Sequence, residues 1–348
     1  MIVVDSKRNI QRNFEFKNNF NYSVQISELE PFIDGAHIDS IDFINLDEAN
    51  RLFKEFVVSK TGFSNEEFQK SFNPIQKINA FDFMMNPYLK NIYLNDIEIN
   101  DIKLTKEFYR ANEFTIFNEP SQDSNLIKKY TIGIFDNPAY TYLLRNNDFV
   151  WMSINPMEIN TAERAIQNAH GKVLVLGGGL GYYPYMVSLK DDVTSVTIVE
   201  ENKIIKDILE ISIIPQFNNK KVQIIQDNAY EYIKNNVAKK YDSIFIDIWQ
   251  DNVKGTEDYK YFVKYEEKYP EAVFDYWLED SILDSIVVNI YQYFSAKLGT
   301  DDYQKYFSLI APDLWEYFEA MPDVIARPDQ MDYYLTHSFA KKYLMESR

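Results

Sequence analysis

The sequence predicts an α/β fold centred on a doubly wound, mostly parallel sheet, with an N-terminal α+β region and a C-terminal helical extension. Three observations carry this. Five of the ten glycines in 348 residues, Gly171, Gly177, Gly178, Gly179 and Gly181, lie between positions 171 and 181. Four short β-rich runs surround and follow them, and each of the last three ends at a carboxylate. The stretches between the runs, 182–193, 201–220 and 228–240, are long enough for parallel crossovers, which take about a dozen residues including their helix.

The first run, Val173, Leu174, Val175 and Leu176, is continuously apolar, as a strand buried on both faces must be. The glycines follow it, and Tyr182 to Leu189 reads as a helix. The second run, from Val196 to Val199, ends in Glu200; the third, from Val222 to Ile225, leads to Asp227; the fourth, from Ser243 to Ile246, ends in Asp247. In a parallel sheet the carboxyl ends share one edge, so the glycines, Glu200, Asp227 and Asp247 are expected to converge where open α/β sheets bind ligands.

Composition narrows the partners. Thirty-six Lys plus Arg against 53 Asp plus Glu leave a net charge of −17, which disfavours nucleic acid. With no Cys and only His37, His170 and His337, disulfides, thiolate zinc sites and cysteine nucleophiles are excluded, and no metal site is expected. The start, MIVVDSKRNI, has no apolar stretch behind a basic end, and no window approaches the roughly 18 apolar residues of a membrane span. A soluble cytoplasmic protein without membrane contact is the expectation.

The glycine pattern is not that of a dinucleotide site. G-x-G-x-x-G fails in both registers, at Tyr182 and at Pro184, leaving G-x-G-x-G at Gly177, Gly179 and Gly181. Glu200, at the end of the second strand, can accept both hydroxyls of a ribose, while backbone N–H groups at the helix start can hold an anionic tail. Any nucleoside could exploit this pairing.

On these residues the chain resembles the class I S-adenosylmethionine-dependent methyltransferases, in their spermidine-synthase-like branch. KVLVLGGGLG is similar to the glycine motif, VTIVEE to the ribose strand, VQIIQDNAYEYI to the adenine segment and YDSIFIDIWQD to the fourth-strand motif, in order over residues 172–251. The resemblance implies a Rossmann-like fold with S-adenosylmethionine as cofactor. It places Gly177, Gly178, Gly179 and Gly181 along the methionine part, Glu200 on the ribose, Asp227 and Asn228 on the adenine, and Asp247 as the catalytic residue facing sulfonium and acceptor. Spermidine synthases instead have Asp where this chain has Leu180, and acidic residues three apart after the fourth strand, where Asp247 and Asp251 are four apart. Both departures favour methyl transfer over aminopropyl transfer from decarboxylated S-adenosylmethionine, which stays as the alternative beside a non-catalytic nucleoside-binding module.

Around this core the sequence divides into an N-terminal region, 1–120, a nucleotide-binding domain, 121–250, and an acidic, aromatic extension, 251–348. Ser64 with Glu67 forms a capping box, and residues 92–104 read as short strands broken by Asn-Asp turns. FDNPAY, Phe135 to Tyr140, resembles an amine-holding motif of amino-methyltransferases but precedes the glycines and reads as a turn. Asn155, Pro156 and Glu158 read as a helix cap and first turn, and Trp249 as core. Ile282 to Phe294 keeps helical spacing where the family has its fifth strand, so the sheet's completeness is in doubt, and Tyr130 to Phe135 or Phe149 to Ser153 are alternative edge strands. The extension, with 19 acidic against 10 basic residues, reads as a helical cover or as a pocket for a cationic or polyamine acceptor. The expected partner is a small or peptide-like acceptor, with cationic character among the options, and homodimerisation is left open.

Overall fold

The computed structural model describes all residues except 41, 148, 219, 237–240, 250–251 and 348. At its centre lie α1 (Pro156–Asn168), β1 (Gly171–Leu176), α2 (Tyr182–Ser188), β2 (Val193–Glu200), α3 (Lys203–Ile208), β3 (Val222–Gln226), α4 (Ala229–Asn236), β4 (Ser243–Ile246), α5 (Asn252–Phe262), β5 (Val273–Tyr276) and α6 (Glu279–Lys297). The five strands form one sheet in the order β3-β2-β1-β4-β5, every pair parallel. The order reverses between β1 and β4. Connections leave β1 in opposite directions on its two sides, and the divergence opens a crevice at the carboxyl ends of those strands.

The uninterrupted apolar runs are explained by burial on both faces. Leu174, Leu176, Ile244 and Ile246 pack on Ile282, Ile286 and Phe294 of α6, while Val173, Val175, Val196 and Phe245 pack on Ala165 of α1 and Tyr183 and Val187 of α2. Successive residues of a strand point to opposite faces, so each strand serves both cores.

A fifth parallel strand is present, contrary to the doubt raised by the sequence. It lies just before the helix that starts at Glu279, in the four residues Val273–Tyr276. Its Asp275 masked it: the side chain is buried and accepts a hydrogen bond from Asn168 Nδ2 at 3.0 Å, so a polar letter occupies a core position. The alternative edge strands join other sheets. Ile132–Phe135 pairs with Gln76–Ile78 and Phe114–Ile116, and Phe149–Ser153 pairs antiparallel with Ala139–Asn146.

Strand pairing also crosses both expected boundaries. Ile102–Tyr109 pairs along its length with Ala139–Asn146, spanning position 120, and β5 carries the parallel sheet past 250. Ile2–Val3 pairs with Val324–Ile325, while the terminal amine donates to Phe318 O at 2.7 Å, so the N-terminus is tied to the C-terminal helices. Of the five-residue units at 92–104, only Ile97–Ile99 and the start of Ile102–Tyr109 are strands, joined through Asn100 at φ 52°. The Ser64–Glu67 capping box forms in both directions. Among the described residues no helix is long and apolar enough to cross a membrane.

Candidate functional site

The turn after β1 is forced to be glycine. At Gly177, with φ +96°, a Cβ would stand 1.8 Å from the carbonyl oxygen of Asp247. At Gly179, with φ +45°, it would stand 2.3 Å from Met152 Sδ. These approaches draw the ends of β1, β4 and the Phe149–Ser153 strand together. Gly177 N donates to Val199 O at 3.0 Å and Gly178 N to Glu200 Oε2 at 2.9 Å, which ties the loop to the end of β2.

Above this edge lies a cavity of about 410 Å³, bounded by Gly177, Gly178 and Gly179 and by the ends of β2 and β4. It has the size of a small-molecule site. Glu200 lines it, held by Gly178 N and by Asn202 N, the latter at 2.7 Å to Oε1. Asp247 lines it as well. Asn228 lines it too, but its side chain caps α4 through Tyr230 N at 3.0 Å and donates to Glu201 Oε2 at 3.0 Å. Two expected residues stand elsewhere. Gly181 turns its Cα toward Leu209 and Ile213, and Asp227 accepts from the N–H of Asn228 at 2.8 Å, outside the lining. Asp251 lies outside the described residues.

Sequence reasoning missed several residues that the fold brings in. Glu158 does have its N–H capped by Asn155 Oδ1 at 2.8 Å, yet its carboxylate turns into the cavity and accepts from Ser153 N and Ser153 Oγ at 3.0 and 2.9 Å. No local signal distinguishes that from ordinary capping. Trp151 and Met152 enter from the antiparallel sheet, beside a register shift between Val150 and Met152. Trp277 borders the cavity from beyond β5 together with Trp249, which is buried in the core as expected and donates Nε1 to Trp277 O at 3.1 Å. The FDNPAY segment is not a turn throughout: Phe135 ends one strand and Ala139 and Tyr140 begin the next, while Asp136 between them accepts from Ala80 N at 2.9 Å, and no residue of the segment lines the cavity.

The electrostatics are lopsided. Glu158, Glu200, Glu201, Asp247 and Asp258 all line the cavity, and among its described lining residues there is no Lys, Arg or His. Burial pushes the Asp247 carboxyl up to about 7, with the charge of Glu200 adding to it. Burial likewise pushes Glu158 up to about 8, against the two hydrogen bonds from Ser153 and with help from the charge of Asp247. Glu200 is raised for the same reason, tempered by its backbone donors. Burial disfavours each charged form, and no described lining residue is a cation that would relieve it. Aromatic side chains of Trp151, Tyr182 and Tyr230 also line the cavity, a composition suited to a positively charged, partly apolar ligand.

No family model and no curated protein matches the chain. Among solved structures it is similar to spermidine synthase from Thermotoga maritima, at 16% identity over 41% of this chain and 54% of that one, with a TM-score of 0.30. A spermidine synthase bound to the transition-state analogue AdoDATO shares 17% identity over 40% and 50% of the two chains, with a TM-score of 0.32. The PRMT1 enzyme–prozyme heterotetramer of Trypanosoma brucei, bound to AdoHcy, shares 16% over 33% and 36%, with a TM-score of 0.26. The chain thus spans about half the length of the spermidine synthases it matches.

Proposed function

We propose that the chain binds S-adenosylmethionine at this cavity and transfers its methyl group to an acceptor positioned beside Asp247. The observation that supports the reading is the meeting of Gly177 to Gly179, Glu200 and Asp247 around one cavity, at the point where the parallel strand order reverses. The residues present fit the ligand. The glycine turn brings bare backbone to the cavity floor, and Glu200, fixed by two backbone donors, keeps lone pairs for ribose hydroxyls. Its Rossmann-like surroundings, helices over both faces of the sheet, place both groups on rigid strand ends.

When bound, the sulfonium supplies a methyl carbon open to direct displacement. The protein's share is orientation and proton handling. Asp247, with its proton affinity raised to about 7, is matched to accept a proton from an amine or hydroxyl near neutrality. Tyr182 and Trp151 supply aromatic rings beside the positive charge, and α1 with the Phe149–Ser153 strand forms part of the cavity wall.

One observation favours a second reading. The absence of a described lining cation suits a donor without a carboxylate, so aminopropyl transfer from decarboxylated S-adenosylmethionine is the alternative. A thermal-shift panel of S-adenosylmethionine, S-adenosylhomocysteine, decarboxylated donor, methylthioadenosine and NAD decides between them, because a ligand that binds the native state raises its melting temperature. The methyl-transfer reading expects the first two to stabilise the protein at least as well as the decarboxylated donor. Stabilisation by NAD alone would remove both.

A further inference from the structure

We propose that Met152 is a specificity-determining residue of this site: its thioether fills the space over Gly179 along which a sulfur nucleoside's amino-acid tail would run, and such a ligand binds by displacing it. The inference rests on the sulfur-nucleoside reading above. Met152 belongs to the antiparallel sheet and reaches the glycine loop from outside the parallel one. Its Sδ accepts a hydrogen bond from Leu180 N at 3.1 Å and sits so close to Gly179 that a Cβ there would be 2.3 Å away. The cradle that glycine opens is thus occupied by the protein's own methionine.

The loop's donors are also largely committed. Of the five N–H groups from Gly177 to Gly181, four are used internally: Gly177 on Val199 O, Gly178 on Glu200, Leu180 on Met152 and Gly181 on Gly178 O. A ligand carboxylate seeking this loop meets the remaining N–H, that of Gly179, under the Met152 thioether, and competes with Met152 for the neighbouring Leu180 N–H. It does so in a cavity with no described lining cation to hold it. Methionine is unbranched, adaptable and only a weak acceptor, so displacement is feasible at modest cost. A nucleoside without the tail leaves Met152 in place.

The test measures binding of S-adenosylhomocysteine and methylthioadenosine, the same sulfur nucleoside with and without the amino-acid tail, to the full chain by calorimetry. Met152→Ala is expected to tighten S-adenosylhomocysteine about tenfold while methylthioadenosine stays within about twofold. Met152→Leu, which keeps the volume, is expected to bind both as the parent does. Should Ala fail to melt cooperatively, Met152→Val shortens the side chain with a residue suited to a strand and carries the same expectation. Equal changes for both nucleosides, weaker S-adenosylhomocysteine binding, or tightening by Leu as great as by Ala overturns the gate. Binding of neither nucleoside to any variant overturns the underlying sulfur-nucleoside reading, and the inference with it.

Discussion

Two acidic regions of this molecule are built in opposite ways. Around the start of α6, Glu279 accepts from Lys341 Nζ at 3.0 Å and from Tyr259 at 2.7 Å, Arg164 reaches Glu279 at 3.2 Å, and Lys341 also meets Glu266 at 2.9 Å. His337 Nε2 stands 2.6 Å from Asp284, whose carboxylate raises the affinity of the ring for its proton. In the cavity, Glu158, Glu200 and Asp247 meet backbone or hydroxyl donors at most, and burial raises all three. One buried acidic cluster is paired with cations and the other has none among its described lining residues, which holds the second at a cost in stability. Ionisable groups left without a described lining cation in a cleft are the ground on which the ligand site is proposed.

The comparison also bears on the two readings of the acidic extension. Several of its carboxylates, Glu266, Glu279, Asp284 and Glu319 among them, pair with cations, and many of its aromatics pack in the core under α6; of its described residues, Asp258 and Trp277 line the cavity.

The sharpest way to break the contrast is Asp247→Asn. If Asp247 takes the acceptor's proton, turnover with labelled donor falls by about 100-fold or more, the usual worth of a positioned general base. Unchanged turnover would return Asp247 to the status of an acidic strand end. At the paired cluster the expectation concerns stability instead. Lys341→Met leaves Glu266 and Glu279 facing each other without their shared cation, and a loss of about 2 kcal/mol in denaturant unfolding is expected after allowance for partial exposure, with nucleoside affinity unchanged. A matching loss of affinity would mean that the two regions are not independent.

How far the sequence foretold this site depends on where each residue's signal lies. Gly177, Gly179, Glu200 and Asp247 were legible because strand ends in a parallel sheet share an edge, so order along the chain implies proximity. Gly181 and Asp227 share the same local text and still fall outside the cavity, because one turns toward Leu209 and the other bonds to its neighbour's N–H. Glu158 was hidden behind a correct reading of its backbone: capping describes its N–H, and only packing against Ser153 reveals where the carboxylate goes. β5 was hidden by Asp275, whose partner Asn168 lies over a hundred positions away. Trp151 and Met152 arrive from a different sheet, a placement that no spacing rule in one chain segment encodes.

A milder change sharpens the ligand side of the comparison. Glu200→Gln keeps the shape but exchanges one carboxylate oxygen for an amide donor, which confronts the N–H of Gly178 or of Asn202. Nucleoside affinity is expected to fall about tenfold for methylthioadenosine and S-adenosylhomocysteine alike, since both carry the ribose. A fall for only one of them would move Glu200 away from the ribose.

The smallest effect tests the electrostatic premise itself. Asp247 and Glu158 hold their protons to about 7 and about 8 in the folded protein, whereas the unfolded chain releases them near the ordinary carboxyl value. Between roughly pH 4 and 8 the folded state therefore binds more protons than the unfolded one, and stability falls as pH rises through that window. Asp247→Asn removes its share. The variant is expected to match its parent near pH 4 and to gain about 1 kcal/mol over it by pH 8 in ligand-free unfolding. The paired cluster supplies the internal control, because His337 has a raised value and its contribution, full below the ordinary imidazole range, is lost as pH rises through that value in both proteins alike. A positively charged ligand draws Asp247 and Glu158 toward their ionised forms, so its binding at pH 7 is expected to release protons, seen as a dependence of calorimetric heat on the buffer. Absence of proton release, with binding intact, would show that the carboxylates in the cavity are already compensated and that the contrast between the two regions is one of geometry rather than charge.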